Sequence, residues 1–211
     1  MTPQTPILWS FRRCPYAMRA RLAVLYSGVT VDLRDILLKD KPVEMTTVSP
    51  KATVPVLNDN GTIVEESRDV MMWALRKNDP EGWLDMPAEG HAMIDTNDGP
   101  FKKALDHTKY AVRFPERDAS ADRAAAADVL MGLNDRLARQ TYLFGDMAKM
   151  ADTAILPFVR QFANTDRDWF NAQDWPHLIR WLTAFETSDS FATIMVKRPI
   201  WVPGAEPTYF P

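Results

Sequence analysis

Hydrophobic and polar positions change their period once along the chain. From Ile7 to about Lys77 the apolar runs are short and alternate in type. Ile7-Leu8-Trp9 reads as a small buried strand. A helix follows: Pro15 suits its first position, Met18, Leu22 and Leu25 fall at i, i+4 and i+7, and Gly28 suits the left-handed residue after its end. Val29 to Leu33 alternates like a second strand. Residues 53–57 and 62–65 are short β-type runs around a turn whose tail, Asn60-Gly61, is a hairpin signal. Val70, Met71, Ala74 and Leu75 make one stripe of a closing helix. The order β-α-β, an undefined stretch, then β-β-α predicts a compact α/β domain over residues 1–80.

After a turn-rich segment from Asp79 to Ala88, with 81–88 as linker, helical periods take over. Ala126, Leu130, Leu133 and Leu137 form one stripe, Ile155, Val159 and Phe162 another, and Leu178, Trp181, Leu182 and Phe185 a third. They predict an all-α bundle over 89–211. A helix over roughly 89–112 contains Gly99-Pro100, where proline removes a donor and crowds the preceding turn, so a kink or break is expected.

Composition changes this picture little. Of the 211 residues, 46% are apolar and 25% charged, which suits packed cores rather than disorder. A formal charge of −3 supplies no general pull toward nucleic acid, although a local basic patch stays open. The start, Met1 to Pro6, lacks the apolar core of a secretory leader, and no apolar run approaches the roughly 18 residues that cross a bilayer. With a single cysteine no internal disulfide can form, which fits the reducing cytosol.

That cysteine has an informative neighbourhood. Arg12-Arg13-Cys14-Pro15-Tyr16-Ala17 places the thiol between a strand and a helix start. There, unpaired N–H groups and two arginines favour the thiolate, so the thiol pKa is expected to fall by a few units from about 8.5. The bland alternative is an inert core cysteine. A redox dithiol needs a second cysteine where Ala17 stands, so any mixed disulfide on Cys14 must be released by an external thiol, for which glutathione is the natural candidate.

Two further segments fit a peptide-like thiol. Val54-Pro55-Val56 puts proline at a strand entrance, where a cis bond would leave the Val54 main chain able to pair with a bound cysteinyl backbone. Glu66-Ser67 joins a possible ammonium partner to an N-cap at a helix start, a carboxylate site. Either segment read alone is more often an ordinary turn or an ordinary cap.

In order and spacing these pieces resemble the glutathione transferase superfamily over residues 7–76. Cys-Pro-Tyr-Ala, with Lys-Asp-Lys-Pro at 39–42, is most similar to its omega class. The resemblance implies a thioredoxin-like first domain followed by a helical one, Cys14 as catalytic thiol, Val54 and Pro55 on the glutathione backbone, and Glu66 and Ser67 on its γ-glutamyl group. Lys41 would reach the glycine carboxylate, with Lys39 as substitute. Glutathione-dependent reduction or thiol transfer is the implied activity, with glutathione as co-substrate, no metal, no membrane or nucleic-acid partner, and a paired subunit in a homodimer. Conjugation, with Ser10 or Tyr16 holding the glutathione thiolate, and a non-enzymatic binding role remain alternatives. His107, Tyr110 and Phe114 are the candidates for the second substrate, against a plain core role.

In the back half, Met150-Ala151-Asp152 resembles the family's capping segment for a central helix. It departs from the family in having Lys149 where Ser or Thr is usual, and an ammonium cannot accept the helix N–H bond. His91 and His177 stand at no metal-ligand spacing, and the tryptophans and methionines read as core. Arg117, Asp118, Asp122 and Arg123 read as solvated helix surface.

Overall fold

The computed structural model describes residues 4–211, so the first half of the Met1 to Pro6 start, residues 1–3, lies outside the described residues. The described chain divides into two compact units, one reaching Gly82 and resuming at Ser188, the other running from Trp83 to Thr187.

In the first unit the strands are β1 (Ile7–Ser10), β2 (Val31–Asp35), β3 (Val56–Asp59), β4 (Thr62–Val64) and β5 (Tyr209–Phe210), in the sheet order β4-β3-β1-β2-β5. β1 runs parallel to β2 with Leu8 opposite Leu33, and antiparallel to β3 with Leu8 opposite Leu57. All three leucines are sealed from solvent, which is why β1 reads as a continuous apolar run without alternation. The Asn60-Gly61 hairpin forms as expected, both residues at positive φ (52° and 94°) and Asp59 paired with Thr62. Strand β2 starts two residues later than its alternation suggested, because pairing with β1 sets its register.

Helix α1 (Pro15–Ser27) ends at Gly28, whose φ of 68° is the left-handed cap foreseen. It is buried all round, Arg19 and Arg21 included, rather than on the single stripe visible in sequence. The undefined stretch contains a short helix, α2 (Val43–Val48), and α3 (Ser67–Lys77) closes the segment and packs on α1. The tail, read from sequence with the helical half, belongs to this unit. β5 pairs antiparallel to β2 with Phe210 opposite Val31, covering what would be an open sheet edge. The Trp201 N–H donates to the Asp35 carbonyl at 2.8 Å, and the Arg34 guanidinium lies 5.0 Å from the Trp9 ring centroid and 4.7 Å from that of Trp201.

The second unit is helical: α4 (Ala88–Thr96), α5 (Lys102–Lys109), α6 (Ala119–Leu137), α7 (Met150–Ala163), α8 (Arg167–Asn171) and α9 (Pro176–Glu186); α10 (Asp189–Ile194) lies back in the first unit. The three apolar stripes read from the sequence are buried. Gly99-Pro100 does not break the chain. A π-turn over Asn97–Phe101 widens the helix, and the Lys102 N–H reaches back to the Asn97 carbonyl, joining α4 to α5.

α7 is enclosed on nearly every side, and Asp152 serves its first turn. The Asp152 carboxylate accepts from the N–H groups of Leu143 (2.9 Å) and Lys149 (2.9 Å) and from Trp181 Nε1–H (3.0 Å). Its own N–H donates to the Lys149 carbonyl at 3.0 Å, the ammonium being unable to accept.

Candidate active site

Cys14 is the residue ahead of α1, in extended backbone (φ −74°, ψ 123°), with Pro15 at the first helical position. Its N–H donates to the Phe11 carbonyl at 3.0 Å, and its carbonyl accepts the first helical bond from Met18 at 2.8 Å. The half-buried Sγ faces the Val54 carbonyl at 3.8 Å, to which the protonated thiol donates. The Val54–Pro55 bond is cis, as expected, and both residues are buried just ahead of β3. Thus the thiol and Val54, 40 residues apart in sequence, meet at one point.

Behind the thiol sits a charge that sequence reading missed. Arg21 is fully buried; its Nη1 donates to Ser10 Oγ (2.8 Å), its Nη2 to the Arg12 carbonyl (2.6 Å), and Asp35 Oδ1 lies 3.7 Å away. It therefore ties the end of β1 to the loop that carries Cys14. Burial pushes the Arg21 guanidinium down to about 10 against the opposing pull of Asp35, and burial raises the Asp35 carboxyl in turn. Arg12 donates to the Met195 carbonyl at 3.3 Å, and the Arg13 guanidinium lies 5.8 Å from the centroid of the Phe11 ring.

At the start of α3 the cap is Glu66, not Ser67, which is the first helical residue. The Ser67 hydroxyl is turned inward to accept from Arg19 Nε at 2.9 Å, so it is not available as a cap. Glu66 is exposed and paired with Lys51, a partner also absent from the sequence reading. Hydrogen bonding to Glu66 raises the Lys51 ammonium; between two exposed groups such a pair adds little stability. Lys41 and Lys39 are exposed in the connection from β2 to α2.

His107, Tyr110 and Phe114 gather in the second unit, at and just beyond the end of α5. His107 is buried, its Nδ1 3.3 Å from Asp122 Oδ1 and its ring 4.5 Å from that of Phe114. The Tyr110 ring has Lys109 Nζ at 5.2 Å and the Arg113 guanidinium at 4.7 Å. Asp122 is not solvated surface, as its charge pattern suggested. It is buried beneath Arg117, whose Nε and Nη2 donate to its two oxygens at 2.8 and 2.6 Å. This fork holds the Asp122 carboxyl down to about 2. Among the described residues no three His, Cys, Asp or Glu side chains gather as they would around a metal ion.

Two family profiles match the chain: the glutathione S-transferase N-terminal domain over residues 8–82 and the glutathione S-transferase C-terminal domain over residues 115–184. The chain belongs to the glutathione S-transferase superfamily. A probable glutathione transferase of Aplysia californica is 43% identical over 56 residues, a match spanning 26% of this chain and 61% of that relative. Glutathione S-transferase L3 of Arabidopsis thaliana is 25% identical across 89% of this chain and 81% of its own. In architecture, a glutathione transferase family member from Pseudomonas fluorescens, solved with two glutathione bound, superposes with a TM-score of 0.77 at 17% identity, over 92% of this chain and 94% of that one. The first unit of this glutathione S-transferase superfamily member is thioredoxin-like with a mixed sheet, and the second is helical. No helix among the described residues is long and apolar enough to cross a membrane.

Proposed function

We propose that the protein is a glutathione-dependent thiol transferase or reductase of the cysteine, omega-like type. The observation that carries this reading is the placement of the chain's only cysteine at the N-terminus of α1, with its Sγ against the Val54 carbonyl. In the reaction the Cys14 thiolate attacks the glutathionyl sulfur of a mixed disulfide, the S–S bond breaks, and the partner leaves as a thiolate. A second glutathione thiolate attacks the resulting Cys14–glutathione disulfide, giving oxidised glutathione and regenerating Cys14. The net change is a thiol–disulfide exchange: the incoming glutathione sulfur is oxidised to the disulfide level, the released partner sulfur is reduced to a thiol, and no second protein thiol is needed.

In this reading Val54 and Pro55 line the glutathione backbone, Glu66 with Lys51 and Ser67 face its γ-glutamyl end, and Lys41 reaches its glycine carboxylate. Conjugation would need a hydroxyl to hold the glutathione thiolate. Ser10 is poorly suited, since it is buried and accepts from Arg21. The paired subunits implied by the family resemblance belong to the same proposal, and light scattering that gives a mass near 24.0 kDa would count against them.

The deciding experiment assays Cys14→Ser and Cys14→Ala for deglutathionylation of a small mixed disulfide and for conjugation of an aromatic halide. Loss of the first activity in both variants, with glutathione still bound, is expected. Undiminished disulfide exchange in Cys14→Ser would sink the cysteine mechanism and favour conjugation or simple binding.

A further inference from the structure

The loop that carries Cys14 is also one wall of a cavity of about 290 Å³, bounded by residues 11–13, by 35–37 after β2, and by 197–200 of the tail. All of these lie in the first unit. In a chain of formal charge −3, four cationic side chains gather here: Arg12, Arg13, Lys197 and Arg198. The one carboxylate on the wall, Asp35, is matched from beneath by Arg21 at 3.7 Å. Asp35 also acts on Arg12 and Arg198, and with Arg21 counted five cations stand against this one carboxylate, so the wall is net positive.

The arginine heads are positioned rather than loose. Arg12 donates to the Met195 carbonyl at 3.3 Å; Arg198 donates to the Val196 carbonyl at 3.3 Å and lies 5.1 Å from the centroid of the Phe210 ring. A guanidinium has five N–H donors, so one bond to a carbonyl leaves others for an incoming anion, and its planar fork suits a carboxylate or sulfonate. Phe11, Ile36 and Ile200 give the same cavity apolar surface. This volume accommodates a small organic body. Arg13 directly precedes Cys14 in the chain, so the loop that bears the thiol also supplies part of this wall.

We propose that this cavity holds the non-glutathionyl half of the mixed disulfide and selects small organic anions, a carboxylate or sulfonate on a short apolar body. The assignment of that half as substrate rests on the thiol-transfer reading above. The Cys14 thiolate takes the glutathionyl sulfur, and the anion-bearing thiolate departs from the cavity, so no further reactant enters the balance.

Steady-state kinetics on two mixed disulfides of glutathione test this, one with 3-mercaptopropionate and one with cysteamine, which differ in the sign of the leaving group's charge. The wild type is expected to prefer the propionate disulfide in kcat/KM by about tenfold, since a local charged site concentrates its counter-ion. Lys197→Glu, at an exposed position, should lower that rate and raise the cysteamine rate, an opposed change that a folding defect does not produce. Equal rates in the wild type, or a ratio unmoved by Lys197→Glu, overturn the proposal. Calorimetric titration of the Cys14→Ser protein with 3-phenylpropionate, against 3-phenylpropylamine, separates the cavity from the chemistry. Binding of the acid alone, weakened by Lys197→Glu, supports the anion site even if neither disulfide is turned over, in which case thiol transfer falls. No binding of the acid, with both disulfides turned over at equal rates, removes the anion site and leaves thiol transfer standing.

Discussion

Arg19 Nε–H donates to Ser67 Oγ across 2.9 Å, and both residues are almost sealed from solvent. This bond joins α1, which starts just after Cys14, to the first residue of α3. A hydroxyl that accepts from Arg19 keeps its own hydrogen, which in the proposed function donates to the γ-glutamyl carboxylate of glutathione. Ser67→Ala is therefore expected to act twice, lowering stability by about 2 kcal/mol through the lost charge-assisted bond and weakening glutathione binding about tenfold. Urea unfolding and calorimetric titration with glutathione read the two effects separately. Undiminished glutathione affinity beside reduced stability would make Ser67 a structural residue only.

Arg21 and Asp35 are a buried pair whose removal should be asymmetric. Arg21→Met leaves Asp35 buried without its partner and frees Ser10 and the Arg12 carbonyl, so a loss of about 3–5 kcal/mol is expected. The double variant Arg21→Met/Asp35→Leu removes both charges and should recover most of that loss, as apolar replacements of buried pairs often do. Thermal and urea midpoints of the two single variants and the double one decide it. Additive losses would mean that the two charges are not coupled in the folded state.

Much of the fold was legible because local signals agree with the packing they serve. Pro15, Gly28 and Asn60-Gly61 mark a helix start, a helix end and a hairpin through backbone geometry alone, and the α6 and α9 stripes follow from period. Other features depend on partners distant in sequence. Tyr209-Phe210 has no strand signature of its own and is β only because β2 offers an edge. Arg19 and Arg21 look like surface residues until every side of α1 is covered. Asp122 sits among charges that suggest solvent, yet Arg117 folds over it. In the candidate site, Cys14, Val54 and Pro55 could be read from motif spacing. Lys51 beside Glu66 and the four cations of the anion cavity could not, because their proximity is set by the chain's return in three dimensions.

Asp122 should make the second unit sensitive to acid. The Arg117 fork, with His107 adding to it, holds its carboxyl down to about 2, below an ordinary value of 3.8. A depressed folded value means that the contribution is present above about pH 4 and is lost as pH falls toward 2. Asp122→Asn should flatten that part of the stability profile. Denaturant midpoints collected from pH 2 to 5 would show it. An equally steep acid loss in the variant would remove Asp122 as its source.

Asp152 should show the opposite sign. Burial pushes its carboxyl up to about 6, against the bonds from Leu143, Lys149 and Trp181 that favour the charged form. The folded protein therefore keeps a proton that the unfolded chain, near 3.8, has already released. In linkage terms the native state binds more protons between about pH 4 and 6. The contribution of this group is thus fully present below the unfolded value and declines as pH rises through the folded one. Asp152→Asn removes the titration and turns one acceptor into an amide that faces N–H donors, so a cost at every pH is expected, about 1–3 kcal/mol at pH 7 for the unmet buried bonds. Because the wild type alone gains stability on acidification through this window, the deficit of the variant should be larger at pH 4 than at pH 7. Urea unfolding at those two pH values measures the difference. A deficit that shrinks toward pH 4 would mean that the three donors outweigh burial, and that Asp152 is held as a carboxylate with a depressed value.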